Sequence, residues 1–198
     1  MKESGCETDV RYASRLKVEP CACGRMYCWN VKMGECCFRD DMQTLYAKLK
    51  AAEILVLATP LYIPLPGAMQ NVLNRLCPLL EPELTNNHGR TRVRFRNDVN
   101  IRKIVLLATG GWWEVENLDR LVLIVREIAE DANVEFAGAV LRPHASSLRR
   151  SGKVTPDGES VLAAVKSAGK QLIVDGKMDP DTLKQISRPL VTLNEFMR

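Results

Sequence analysis

The chain has 198 residues, of which 46% are hydrophobic and 26% are charged. This length suits one domain with a full hydrophobic core, and the composition excludes a chain that is disordered throughout. The net charge of +4 is mild and mixed in sign along most of the chain, so it requires no nucleic-acid partner.

The sequence predicts neither a membrane span nor a secretory signal. No apolar run approaches the ~20 residues of a membrane span, and the longest runs, such as Ile54–Ala58, have the length of strands. The first ten residues contain no apolar stretch typical of a secretory signal. We therefore expect a cytoplasmic protein with no membrane partner.

Three short apolar runs predict the strands of a parallel sheet: Glu53–Pro60, Lys103–Gly111 and Glu135–Leu141. Near-continuous runs of this kind are typical of strands buried on both faces. Thr8–Tyr12 alternates weakly and is a further strand candidate.

Helical spacing of apolar residues separates these strands. The apolar stripes run over 42–49, 69–76, 118–133 and 161–172, and Asp179 and Pro180 predict the start of a short last helix. Either Asp40 or Asp41 can cap the first of these helices. Strands that alternate with helices at this spacing predict an α/β fold with a parallel sheet covered on both sides.

Two strand ends carry an unusual composition. Thr59–Gly67 contains three prolines and Tyr62, and Thr109–Glu114 combines two glycines with Trp112 and Trp113. Ligands of open parallel sheets bind outside the carboxyl ends of the strands, so these segments suit a planar aromatic cofactor. The alternative is that the three aromatic side chains only cover the edge of the sheet.

These strand ends, with the segment between Pro20 and Met42, also carry a family resemblance. The chain resembles the NAD(P)H-dependent FMN reductase and iron–sulfur flavoprotein branch of the flavodoxin-like superfamily. The matching segments, in chain order, are 20–21, 28–29, 34–36, 40–42, 45–46, 58–62, 75–76, 78–82, 109–111, 135–138 and 141–143.

The resemblance implies a flavodoxin-like fold, a three-layer doubly wound parallel sheet with extra C-terminal helices. The flavin-binding domain would occupy residues 1–145, and residues 146–198 would form a helical extension packed on the same domain. It also implies an FMN-dependent oxidoreductase that passes electrons from NAD(P)H to a small-molecule or protein acceptor. The residues that would flank the flavin ring, in part through backbone amides, are Pro60, Leu61, Tyr62, Ile63, Pro64, Thr109, Gly110, Gly111, Trp112 and Trp113.

The start of the chain departs from the family pattern. The family opens with a strand and a loop that holds the FMN phosphate at a helix N-terminus. Here the residues before Thr8–Tyr12 match the end of the first helix, so that strand and loop are expected outside this sequence. A truncated chain, a misassigned start codon or a second chain that fills the gap would each explain this. A central strand missing from the sheet would leave two strands with unpaired edges.

Cysteines are the second departure. The chain has seven, and five of them fall between Cys21 and Cys37. In a reducing compartment such clustering favours metal or redox work over disulfides. The resemblance implies Cys21, Cys23, Cys28 and Cys36 as ligands of a [4Fe–4S] cluster, although Arg25 occupies the middle position of the usual motif. Zinc and uncoordinated free thiols are the alternatives.

Other polar residues receive simpler interpretations. On the helix after Pro60 the chain has Gln70, Asn74 and Arg75 where relatives usually carry lysine and an Asp-Arg pair, and we expect Arg75 to pack or pair locally. His88 and His144 are expected in loops, and Cys77 in the core.

Arginines alternate at positions 90, 92, 94 and 96. A strand would place them on one face, where they could attract a dinucleotide phosphate or another anionic partner. We favour a solvated loop or a contact between subunits, because no base-stacking aromatics accompany them. Relatives in the family often dimerise through this region, so the resemblance implies a homo-oligomer. A truncated binding protein without a cofactor remains the non-enzymatic alternative.

Overall fold

The computed structural model describes residues 4–24, 26–87 and 89–198, so the expectations for Arg25 and His88 lie outside the described residues. The strands are β1 (Ile54–Pro60), β2 (Thr85–Asn87), β3 (Arg90–Arg92), β4 (Lys103–Thr109), β5 (Glu135–Arg142), β6 (Arg149–Arg150) and β7 (Lys153–Val154). The α-helices are α1 (Tyr27–Asn30), α2 (Met42–Ala51), α3 (Gly67–Asn74), α4 (Asp119–Asp131), α5 (Pro156–Val174), α6 (Pro180–Ser187) and α7 (Leu193–Phe196).

The main sheet confirms the three predicted strands and the flavodoxin-like α/β class. Its order is β1-β4-β5, and both neighbouring pairs are parallel. Within the central strand β4, Ile104 and Leu106 belong to one hydrophobic cluster, whereas Val105 and Leu107 belong to another. Because successive side chains point to opposite faces, β4 is covered on both sides.

Helices form the two outer layers. On one face α2 and α4 bury side chains that include Tyr46, Leu121 and Val125. On the other face α5 and α6 bury Val161 and Ile186 against β4 and β5. The four longer predicted helices and the short helix after Asp179 are confirmed, and α7 had no counterpart in the predictions. The domain boundary at residue 145 stays a prediction.

The helix starts follow the capping rules only in part. Thr155 accepts a hydrogen bond from the Gly158 N–H at 2.9 Å, and Asp179 accepts one from the Thr182 N–H at 2.9 Å. The side chain of Asp41 makes no capping bond to α2 and instead accepts from the Lys17 N–H at 2.8 Å. Asp41 therefore has a residue type that suits a cap, but its side chain bonds to a segment outside α2.

β5 contains a β-bulge near its middle. The pairing of β4 with β5 shifts register between Ile104 and Leu106. Gly138 lies opposite this shift with a φ of +112°, a backbone conformation that residues with a Cβ rarely adopt. The Cε atom of Met178 lies 3.0 Å from the position that a Cβ at Gly138 would take. The glycine thus allows both the bulge and the close packing of the segment before α6.

Within the part of the chain that the structure describes, β1 is the edge strand of the main sheet. The Glu53 carbonyl and the Leu61 N–H both bond toward the β4 side, at 2.9 Å to the Arg102 N–H and 2.7 Å to the Thr109 carbonyl. Because peptide groups alternate along a strand, those of Val56 and Ala58 face away from β4.

The strand suggested for Thr8–Tyr12 was wrong. These residues have no strand assignment in the structure. A parallel strand needs a neighbour with which to share hydrogen bonds, and among the described residues β1 pairs only with β4. In the described part of the chain, no helix has the length and apolar character needed to cross a membrane.

Candidate functional site

The two unusual strand ends meet at the carboxyl edge of the sheet, as predicted. Pro60, the last residue of β1, pairs in register with Thr109, the last residue of β4. The Leu61 N–H donates to the Thr109 carbonyl at 2.7 Å. The segments 60–64 and 109–113, which we call the aromatic edge, are therefore held side by side by the backbone.

Side chains at the aromatic edge are strongly exposed. Tyr62 is 71% exposed, Ile63 is 86% exposed and Trp112 is 66% exposed. The indole N–H of Trp113 instead donates to the Val191 carbonyl at 3.0 Å, and its side chain is only partly exposed. Trp112 therefore offers an open flat surface, whereas Trp113 is tied to the C-terminal segment.

The two glycines of the second loop differ in what they permit. A Cβ at Gly110 would lie 3.2 Å from the Leu118 side chain, whereas a Cβ at Gly111 would meet nothing within 4 Å. Gly110 therefore serves packing against the 3₁₀ turn at Val115–Leu118. Gly111 leaves the backbone open to a ligand.

Backbone N–H groups of the aromatic edge fall into two classes. Those of Leu61, Tyr62 and Gly110 are used internally, by the carbonyls of Thr109, Pro64 and Arg142. Those of Ile63, Gly111, Trp112 and Trp113 have no acceptor within the described residues. The implied contacts between backbone amides and a ligand can therefore come from only part of the predicted set.

Behind the second loop lies a buried polar pair, Arg142 and His144. The Arg142 guanidinium donates to the carbonyls of Pro143 at 2.7 Å, Ile186 at 2.6 Å and Arg188 at 3.0 Å. Burial, with the nearby charge of Arg188, lowers the pKa of Arg142 to about 10. This guanidinium connects the end of β5 to the segment after α6.

His144 lies in the loop after β5, as predicted, but it is fully buried there, which the sequence did not indicate. Its Nε2 lies 2.8 Å from an Arg142 nitrogen and 3.1 Å from the Leu190 N–H. Both neighbours are donors, so Nε2 accepts and the proton sits on Nδ1, which is 3.2 Å from the Trp113 carbonyl. Burial and the charge of Arg142 lower the pKa of His144. The neutral ring thus supports the loop that carries Trp112.

Cysteines gather in a second place, between α1 and the segment that follows α3. A small pocket, which we call the cysteine pocket, is lined by Cys21, Cys23, Met26, Tyr27, Cys28, Cys36, Cys37, Asn74, Arg75, Cys77 and Pro78. The Trp29 indole N–H donates to the Cys77 carbonyl at 2.9 Å and joins the two sides.

One cysteine pair in this pocket contradicts the prediction from the sequence. Cys23 and Cys37 are joined in a disulfide, whereas clustering had favoured metal or redox roles over disulfides. Cys23 therefore offers no free thiolate in this structure, although it was among the four implied cluster ligands. The loop between them folds back until their sulfurs meet, and the sulfurs of Cys23, Cys36 and Cys37 all lie within 4.8 Å of one another.

Cys77 was missed as a functional candidate. It was predicted as core, but it is only partly buried and lines the cysteine pocket. Burial, followed by the charges of Cys77, Cys36 and Cys21, raises the pKa of Cys28 to about 11. All four cysteines line the cysteine pocket. A lone cysteine at an apolar helical spacing gave no sequence signal for this.

Arg75 is the other residue that the sequence undervalued. It is 1% exposed, and two of its nitrogens donate to the Asp40 carboxylate at 2.8 and 3.1 Å. Burial works against its charge, but the Asp40 carboxylate more than offsets this, so the pKa of Arg75 is raised. The Asp40 carboxylate also accepts from the N–H groups of Glu19 and Met42. Asp40 therefore serves α2 as predicted, and it also forms a buried ion pair.

The alternating arginines lie partly in β3, and most of them pair with acidic residues. Arg90 and Arg92 make ion pairs with Glu127 and Glu130 of α4, at 3.0 to 3.4 Å. Arg96 pairs with Glu81 at 3.2 Å. These intrachain ion pairs weigh against a phosphate site at the arginines, and the contact between subunits stays a prediction.

Comparisons with known proteins agree with this architecture. The family model for NADPH-dependent FMN reductase matches residues 1–114, more than half of the chain. The chain belongs to this family. The match includes β1, β4 and both segments of the aromatic edge. The family is that of flavin-dependent oxidoreductases, as the resemblance implied.

A curated relative matches a shorter stretch. An iron-sulfur flavoprotein from Methanosarcina thermophila is 40% identical over 63 residues, which is 31% of this chain and 31% of that protein. The chain thus matches less than a third of the length of that relative. No solved structure matches the chain.

Proposed function

We propose that this protein is an FMN-dependent oxidoreductase that takes electrons from NAD(P)H and passes them to a small-molecule or protein acceptor. The observation that carries the proposal is the aromatic edge, where two loops joined by the bond from Leu61 to Thr109 present, among the described residues, four unused N–H donors beside exposed aromatic side chains. The family match supports the choice of flavin.

The residues at this edge suit an isoalloxazine ring. Tyr62 and Trp112 provide flat apolar surface of the kind on which an aromatic ring stacks. The N–H groups of Ile63, Gly111 and Trp112 supply donors for the polar edge of the ring. Bound FMN would supply the hydride and electron chemistry, and the chain's own residues orient the ring.

FMN titration tests this proposal most directly. We expect added FMN to lose fluorescence as it binds, and Tyr62→Ala to weaken that binding by about three- to tenfold, the range of one aromatic contact. Tyr12→Ala is the matched control, since Tyr12 is also exposed and lies outside the aromatic edge. Oxidation of NADH and NADPH by the FMN-loaded protein is then followed by absorbance. Failure of the wild-type chain to bind FMN would refute the proposal.

A second candidate function is an iron–sulfur flavoprotein that carries electrons. The name of the matched relative and the cysteine pocket favour it. Thiolates are the ligands that iron–sulfur clusters use, and the family resemblance implied Cys21, Cys23, Cys28 and Cys36 as those ligands. Iron and sulfide assays on protein purified without oxygen test this function independently of flavin binding.

A further inference from the structure

The carbonyl groups in the second loop of the aromatic edge are held from behind by the segment that follows β5. The Ala145 N–H donates to the Gly110 carbonyl at 2.9 Å, and the His144 N–H donates to the Trp112 carbonyl at 2.7 Å. The His144 ring adds a further bond, since its Nδ1 lies 3.2 Å from the Trp113 carbonyl. Three carbonyls of this loop therefore bond to the same two-residue segment.

This anchoring decides where the N–H groups of the loop point. In a trans peptide group, the carbonyl and the N–H of the next residue point in opposite directions. Because the carbonyls of Gly110 and Trp112 point toward the segment after β5, the N–H groups of Gly111 and Trp113 point away from it. Neither of these N–H groups has an acceptor within the described residues. Two unused donors are thus aimed by bonds made on the opposite side of the loop.

This arrangement depends on the backbone conformation of His144. Its φ is +34°, in the left-handed region that residues with a Cβ adopt only where surrounding contacts hold them. Successive N–H groups of an extended strand point to opposite sides, whereas a left-handed residue brings two consecutive N–H groups to the same side. The N–H groups of His144 and Ala145 consequently both reach the loop.

The His144 ring also fixes this loop to the C-terminal segment. Its Nε2 accepts from the Leu190 N–H at 3.1 Å and lies 2.8 Å from an Arg142 nitrogen. The indole N–H of Trp113 bonds to the same segment through the Val191 carbonyl at 3.0 Å. Burial and the charge of Arg142 lower the pKa of His144, so the ring is neutral at pH 7 and keeps one donor and one acceptor. The neutral ring is the form that both of its bonds need.

We infer that His144 is a positioning residue for the flavin site: its backbone N–H and its Nδ1–H fix the peptide groups on either side of Trp113, and so aim the Trp113 N–H, with the Gly111 N–H, at the polar edge of the ring. This inference rests on the proposed function and deepens it, because it assigns control of the flavin to a buried residue behind the loop. Reduction adds negative charge to the ring of FMN, and an N–H donor stabilises a charged acceptor more than a neutral one. His144 therefore raises the midpoint potential of bound FMN.

Two variants at position 144 isolate the bond from Nδ1. Glycine and asparagine both accept a left-handed backbone, so each variant keeps the two backbone bonds, and neither replaces Nε2. Only asparagine places an N–H near the position of Nδ1, where it can donate to the Trp113 carbonyl. We expect His144→Gly to weaken FMN binding by about three- to tenfold, the range of one hydrogen bond, and His144→Asn to restore most of that loss.

The midpoint potential of bound FMN separates positioning from general stability. Reduced FMN should lose about three- to tenfold more affinity than oxidised FMN in His144→Gly, which corresponds to a potential about 15–30 mV lower. Leu172→Ala is the stability control. Leu172 is buried near the end of α5, and the segment after that helix contacts Lys103 at the start of β4, at the opposite end of the sheet. This control should lower the urea midpoint and leave the FMN affinity and potential unchanged.

The outcomes distinguish this inference from the proposed function. Wild type that binds FMN, with the same affinity and potential in His144→Gly, overturns the inference alone. Equal losses in His144→Gly and His144→Asn also overturn it, because the bond from Nδ1 would then have no part in aiming the donors. Wild type that binds no FMN refutes the proposed function and this inference with it.

A second measurement does not depend on whether a variant folds. Amide hydrogen exchange of the wild-type protein, followed by NMR, should be slow at His144, Ala145 and Leu190, whose N–H groups are bonded. Exchange should be fast at Gly111 and Trp113, and it should slow at both when FMN is added. Fast exchange at His144 and Ala145, or no slowing at Gly111 and Trp113 in FMN-loaded protein, overturns the inference.

Discussion

The aromatic edge and the cysteine pocket are held together by different kinds of interaction. At the aromatic edge, backbone hydrogen bonds between parallel strand ends hold the loops, and the side chains Tyr62 and Trp112 remain exposed. At the cysteine pocket, buried side chains bridge segments that are distant in the chain, above all through the Arg75–Asp40 ion pair. Substitutions should therefore change ligand binding at the first region and folding stability at the second.

The largest expected effect is on the buried ion pair. Asp40→Asn leaves the Arg75 charge buried without a counter-ion, which typically costs about 3–5 kcal/mol of folding free energy. Asp98→Asn is the control, since Asp98 pairs with Lys50 at 2.7 Å on the surface, where a pair contributes less than about 1 kcal/mol. Urea denaturation of both variants measures the difference. Equal losses would remove the contrast between buried and exposed pairing.

The next effect concerns thiol reactivity in the cysteine pocket. Because the pKa of Cys28 is raised from 9.0 to about 11, its thiolate fraction at pH 8 is about a hundredfold lower than that of an ordinary cysteine. Iodoacetamide should therefore label Cys28 far more slowly than the exposed Cys21 in chelator-treated protein. The rate should rise as the pH approaches 11. Comparable labelling rates at pH 8 would show that Cys28 is not buried as described.

A smaller effect is expected at the aromatic edge. Trp112→Ala should weaken FMN binding by about three- to tenfold and leave the urea midpoint unchanged, because the Trp112 side chain is mostly exposed. Leu123→Ala, which removes another exposed apolar side chain, is the control. A clear loss of stability in Trp112→Ala would mean that this region is held together by its side chains after all.

The smallest expected effect is a pH dependence of stability that comes from the buried His144. Because burial and Arg142 lower the pKa of His144, the folded state favours its neutral form. This contribution to stability is present above the ordinary pKa of 6.5 and is lost as the pH falls below it. In a His88→Gln background, His144 is the one histidine of the chain. The midpoint of thermal unfolding of this variant should be lower at pH 5.5 than at pH 7.5. The double variant with His144→Gln should lose that dependence.

The periodicity of apolar residues predicted the strands and helices that local sequence determines. The strands β1, β4 and β5 and the longer helices follow from runs and stripes of apolar residues, and the aromatic edge follows from the rule that parallel strands present their carboxyl ends together. The cysteine pocket was only partly predictable. Cys77 and Arg75 enter it through contacts across 35 or more positions, such as Arg75 with Asp40 and Trp29 with Cys77. No local pattern encodes such pairings, and the disulfide of Cys23 with Cys37 was missed for the same reason.

The guanidinium of Arg142 has a consequence for how this protein can vary. Three of its acceptors are the backbone carbonyls of Pro143, Ile186 and Arg188, and every amino acid carries a carbonyl. Replacing a side chain at one of these three positions leaves the bond to its carbonyl available, whereas replacing Arg142 removes all three bonds at once. For these bonds, sequence variation is therefore constrained more strongly at the donor position than at the acceptor positions.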